Sequence, residues 1–200
     1  MKIIASFTED GYIKNFALLG EIEGGVEVST ADDVTKTELM ENYQSFKLQT
    51  DGKTIALDEE KLREIQKDKL LTQQQSKQNE NNGLLATYLK DHPIRWKDGK
   101  YYGITQEDQS EIALNLTQYQ IAVTAGLSPY LEWHALHEQC RKFTVEELSA
   151  LALSISAYVY PFVRYNQSIK TAIYATTTAE ELEKIVIDYG KVGVTNESSQ

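Results

Sequence analysis

Apolar residues in the first sixty positions come in short runs of strand length, separated by turn dipeptides. "KIIASF" and "YIKNFALL" flank "TEDG", whose Asp10-Gly11 is a strong two-residue hairpin signal because both residues tolerate a left-handed backbone. "GVEVS" alternates Val26 and Val28 with polar residues, as a half-buried strand should. "TADDVTKTELMENYQ" then places Val34, Leu39, Met40 and Tyr43 at roughly helical spacing, with Asp32-Asp33 as helix-start carboxylates. "SFKLQT" and "KTIAL" flank Asp51-Gly52, a second hairpin. The order β-β-β-α-β-β predicts a small β-rich module over residues 1–57.

The pattern changes at "LDEEKLREIQKDKLLTQQQSKQNENNG". Asp58, Glu59 and Glu60 favour a helix start, and Leu62, Ile65 and Leu70 lie close to one stripe. Beyond Leu71 the stripe dissolves into Gln73 to Gln75, Ser76, Lys77, Gln78 and Asn79 to Asn82, and Gly83 is expected to end the helix. A helix this polar has no face to bury by itself. Residues 58–83 therefore read as a connecting helix, either a linker or one strand of a self-associating bundle. Leu62, Ile65, Lys69 and Thr72 are the seam positions expected to carry oligomerisation; the polar members weaken a coiled coil while restricting its register.

Residues 84–190 read as a second, mainly helical domain with a short antiparallel sheet. "IRWKDGKYYGIT" is a hairpin with Asp98-Gly99 at its turn. Thr105 with Asp108 forms a capping box opening a helix whose core stripe is Ile112, Leu116, Tyr119 and Val123; Gly126 and Pro129 break it. "YLEWHAL" is a strand with Leu131, Trp133 and Ala135 on one face. Thr144 with Glu147 caps the most apolar helix, "VEELSALALSISAYVYPFVRYNQSIKTAI", which Pro161 should kink or interrupt. Thr178 with Glu181 caps a last helix, "AEELEKIVIDY", and the tail 191–200 should be loose unless a partner orders it. The fold class predicted is α+β.

Net charge narrows the function classes. At −10, with an isoelectric point near 4.8, the chain repels phosphate backbones, and no Lys/Arg cluster offsets this, so nucleic acid is a poor partner. No apolar run approaches the length of a membrane span, and the N-terminus turns polar too early for a signal peptide. A single cysteine rules out an internal disulfide framework and fits a reducing compartment. The chain reads as soluble and made in a cytoplasm.

Candidate chemistry concentrates in "WHALHEQC", where His134, His137 and Cys140 recur every third residue. On a helix they would share a face and could meet a zinc ion. Here the segment reads as strand then turn, where a spacing of three alternates faces, and only His92 remains as a fourth histidine or cysteine ligand. A Cys140–His137 nucleophile pair lacks a third group to orient the base, and Arg141 and Lys142 are what an exposed turn carries in any case. "DGKT" at 51–54 echoes a phosphate loop, but Lys47 stands where that loop needs glycine. The tyrosines of the second domain fit half-buried positions better than a saccharide-binding surface. No catalytic, cofactor or metal residues are assigned, and a small-molecule ligand is not expected.

From "IRWKDGKYYGITQED" through Gly126, "LEWHAL" and "FTVEELSALALSISAYV" to "AIYATTTAEELEKI", roughly residues 94–187, the second domain resembles a C-terminal domain of unknown function found in tail-locus proteins of phages and prophages. Between Trp133 and Thr144 the chain departs from that pattern: "HALHEQCRKF" is longer and more basic than the short turn expected. The first sixty residues look like the small N-terminal module of many such proteins. The resemblance implies a non-enzymatic structural component of a phage tail tip or baseplate, located in the virion tail, that binds other tail, baseplate or fibre proteins as a homo-oligomer. A tail-fibre assembly chaperone that does not stay in the virion, or a host-surface saccharide-binding module, are the alternatives it leaves open.

Overall fold

The computed structural model describes residues 1–30 and 34–195; Asp32 and Asp33 lie outside them. The chain divides into two compact units, Met1–Thr72 and Gln73–Gln200. The secondary structure is α+β, with strands gathered at the N-terminus, a long helix, and a mainly helical C-terminal part carrying two small antiparallel sheets.

In the first unit β1 (Lys2–Phe7) lies between β2 (Ile13–Ala17) and β3 (Val26–Thr30), antiparallel to both. β3 runs parallel to β5 (Thr54–Leu57), which pairs antiparallel with β4 (Phe46–Leu48). A parallel neighbour demands a crossover, and α1 (Lys36–Asn42) followed by β4 supplies it. This helix is shorter than the spacing predicts. It starts only after Thr35, whose hydroxyl accepts the Glu38 N–H, and tightens to a 3₁₀ turn at Tyr43–Ser45. An antiparallel bridge between Tyr12 and Lys47, with the Leu48 N–H donating to the Gly11 carbonyl at 2.9 Å, brings the two edge strands of the five-stranded sheet together at one end. Edge groups that would otherwise invite another strand are thus partly satisfied. Ile3 and Ala5 alternate inward on β1 and meet Ile13, Val28, Leu39, Phe46 and Ile55 in the core.

α2 (Glu59–Asp91) begins where Asp58 accepts the N–H groups of Glu60 and Lys61 through Oδ1, while its Oδ2 accepts the Tyr12 hydroxyl at 2.9 Å. The helix does not stop at Gly83. A helical glycine costs about 1 kcal/mol relative to alanine, and burial of Leu89 with partial burial of Leu85 and Tyr88 in the next turns outweighs that. Nor is the polar stretch without a buried face: Gln74, Gln78 and Asn81 are all buried, against α4 (Val145–Ala175) and the C-terminal segment. Their amides make this possible by pairing. Gln74 Nε2 donates to the carbonyls of Ile173 and Thr176, and Asn81 Nδ2 donates to the Asn166 carbonyl at 3.1 Å.

The second unit's core is built on α4. Its capping box is present as the sequence predicts, and Leu148, Leu151, Ile155, Val159 and Phe162 form one buried stripe. Pro161 does not interrupt the helix. A missing N–H and a ring clash cost about 3 kcal/mol, which burial of Val159 and Phe162 on either side can offset. α3 (Gln106–Thr124) opens with the Thr105–Asp108 capping box and packs Ile112, Leu116 and Tyr119 into this core. Val123, predicted in the same stripe, is 43% exposed because the helix ends one residue later and Gly126 turns the chain with φ of 78°. Two hairpins complete the core: β6 (Ile94–Arg95) with β7 (Tyr101–Tyr102), and β8 (Leu131–Trp133) with β9 (Arg141–Phe143).

The last helix is shorter than predicted. α5 spans only Ala179–Glu183, although Thr178 caps it by accepting the Glu181 N–H. Ile185, Val186 and Ile187 are β-branched and leave the helix, and Tyr189, buried, begins a 3₁₀ turn that runs to Thr195. The start of the expected loose tail is therefore held in that turn, and its last five residues lie outside the described ones.

Candidate functional site

The run "WHALHEQC" is the end of β8 and the loop to β9. Trp133 and Ala135 point into the core, and the His134 ring stacks on Trp133 with centroids 5.3 Å apart. His137 and Cys140 are exposed, and Cys140 is a free thiol. His137 holds φ at 62°, a left-handed conformation uncommon outside glycine, asparagine, aspartate and histidine. His92 sits elsewhere, one residue past the end of α2, stacked on Tyr88 at 3.9 Å with Nδ1 2.8 Å from the Tyr88 carbonyl. Among the described residues no three His, Cys, Asp or Glu side chains are grouped as metal ligands would be.

What fixes this loop is the neighbouring hairpin. The Leu136 N–H donates to the Tyr101 carbonyl at 2.8 Å, Glu138 pairs with Lys100, and Arg141 Nη2 lies 2.9 Å from Asp98 Oδ2. Asp98 also accepts the buried Tyr102 hydroxyl at 2.8 Å, and the Arg141 guanidinium lies 3.7 Å from the Phe143 ring centroid. Burial pushes the Asp98 carboxyl up, but bonds from Tyr102, the Lys100 N–H and Arg141 together outweigh it and hold the group below its ordinary value. Burial above all raises the Tyr102 phenol, Asp98 adding to the effect and Arg141 opposing it. The sequence resolves Asp98 only as a turn residue; its partner lies 43 positions away.

Beside the loop is an open hollow of about 540 Å³ whose walls include Pro93, Tyr101 and His137. A larger cleft of about 770 Å³ lies between α2, the start of α3 and α4. Leu85, Leu89, Val159 and Val163 give it an apolar lining, and Lys90 and Glu107 bring opposite charges to it. Neither space gathers a nucleophile with its base.

Exposed apolar side chains are the other distinctive feature. On α3, Leu114 and Ile121 are 55% and 64% exposed and stand on the face opposite Ile112, Leu116 and Tyr119. On α4, Leu153 and Tyr160 are 71% and 61% exposed and lie away from the buried stripe. Of the seam residues proposed in α2, Leu62 and Ile65 are half-buried yet belong to neither core, and Lys69 and Thr72 are exposed. The chain matches no family model, no curated protein and no solved structure.

Proposed function

We propose that this chain is a structural component of a phage tail tip, baseplate or related tail-like particle, working through protein–protein contacts with other tail proteins and with copies of itself. The observation that carries the reading is the pairing of apolar residues on the outward faces of α3 and α4, at Leu114 and Ile121 and at Leu153 and Tyr160. Each helix turns a different face to the core, Ile112, Leu116 and Tyr119 on α3 and Leu148, Leu151 and Ile155 on α4, so these side chains stand outside it. Apolar residues on faces of this kind suit contact with another protein. The sequence resemblance over residues 94–187 supplies the tail setting, and the net charge of −10 supports protein rather than nucleic-acid partners. Self-association is assigned to the Leu62, Ile65, Lys69 and Thr72 stripe, and no catalytic step is assigned.

Mass spectrometry of purified particles, alongside imaging of particles made without the gene, tests the proposal. Abundant peptides from this chain and missing tail-tip density are the expected result. Particles of normal appearance that never contain the protein, with fibres left unassembled in its absence, would overturn it in favour of an assembly chaperone.

A further inference from the structure

Besides the stripe it buries, α4 carries a second one turned outward. Glu146, Ala150, Leu153, Ala157, Tyr160 and Arg164 follow one another at alternating intervals of four and three residues. That is the spacing of a coiled-coil seam. At about 100° per residue the six lie within about 80° of one another, on the far side of the helix from Leu148, Leu151 and Ile155. All are exposed except Ala150, which is half-buried. The Arg164 guanidinium lies 6.0 Å from the Tyr160 ring centroid, which keeps it along this face. Among the described residues neither Glu146 nor Arg164 joins an ion pair.

The order of these residues points to what covers them. Their intervals read the same from either end about Ile155. A second α4 laid antiparallel therefore sets Glu146 against Arg164, Ala150 against Tyr160 and Leu153 against Ala157, and each match occurs twice. Acid meets base at both ends, and each large side chain meets an alanine that leaves room for it. A parallel copy would instead set Glu146 against Glu146 and Arg164 against Arg164. We propose that the outward stripe of α4 docks the same stripe of a second copy of this chain, antiparallel and across a two-fold axis. Pairing acid with base also offsets, locally, the repulsion between chains of net charge −10. One helix face is smaller than the roughly 800 Å² per partner of a stable interface, so alone it pairs chains only when they are concentrated. The inference rests on the reading of this face as a protein contact and names its partner; its failure would leave the face open to another tail protein, which the particle experiment tests separately.

Sedimentation equilibrium over a range of concentrations tests it, on the full chain carrying Leu62→Glu and Ile65→Glu so that the α2 stripe does not contribute. With Glu146 and Arg164 in place, the chain should show a monomer–dimer equilibrium. Glu146→Arg, or Arg164→Glu, turns two attractive contacts into two repulsive ones and should weaken pairing by roughly tenfold. The two substitutions together exchange the charges and should restore it. Recovery separates the seam from damage to the helix, because Glu146→Arg also disfavours the first turn of α4 and the double variant keeps that fault. In a parallel pair the exchange would restore nothing. A chain that stays single at the highest concentration reached, single variants that pair undiminished, or a double variant as weak as the singles would overturn the antiparallel contact.

Discussion

Asp98 occupies the turn that its Asp-Gly pair predicts, yet its carboxylate reaches beyond that turn. Oδ1 accepts the Lys100 N–H, and Oδ2 accepts from Tyr102 and from Arg141 on the other hairpin. Its folded pKa lies below the unfolded value of about 3.9. The charged form therefore contributes stability that is fully present above about pH 4 and is lost as pH falls through the lower folded value. Asp98→Asn should lower the urea midpoint at pH 7, and the gap from the natural protein should narrow as pH drops below about 4. A gap that stays constant down to pH 2 would show that the charge is not what joins the hairpins. Local signals of this kind were readable in advance. Asp10-Gly11, Asp51-Gly52 and Asp98-Gly99 all form turns with glycine φ of 85°, 66° and 80°. The Arg141 partner is not legible, because nothing local connects positions 98 and 141.

Helices divide along a similar line. Thr105 with Asp108, and Thr144 with Glu147, are reciprocal pairs within one turn, and both form as capping boxes. The full extent of α2, Glu59–Asp91, is not legible in an apolar pattern, which registers only apolar contacts. Gln74, Gln78 and Asn81 bury through amide pairing, and Leu85, Tyr88 and Leu89 beyond Gly83 hold the helix to its end. The pairing partners at Asn166 and Ile173 lie some 85 to 99 residues away. The first turns of α2 present a different surface. Leu62 and Ile65, three residues apart on this helix, share a face and are half-buried. If this stripe carries self-association, replacing both residues with glutamate places charges at the seam and should reduce the mass measured by light scattering to that of one chain. The helical circular dichroism should be retained, since glutamate is a good helix former. An unchanged oligomeric mass would exclude the stripe.

At the scale of the whole chain, two cores share no residue. Phe46 is fully buried among strands of the first unit, and Leu151 is fully buried on α4 in the second. The division into two units falls between Thr72 and Gln73, inside α2, where Leu71, Thr72 and Gln73 are all exposed. Helix extension through such residues changes the free energy little per residue, so α2 is a weak conductor of stability between the cores. Deleting a buried Phe or Leu side chain to alanine costs about 2–5 kcal/mol through lost transfer energy and the cavity left behind. Calorimetry of Phe46→Ala should therefore lower one unfolding transition and spare another, and Leu151→Ala should do the reverse. In the double variant the two losses should add within about 0.5 kcal/mol, as for sites with no shared partners. One transition lowered alike by both substitutions would mean that the cores melt as a single cooperative body, with α2 transmitting what its exposed middle turns give no packing reason to transmit.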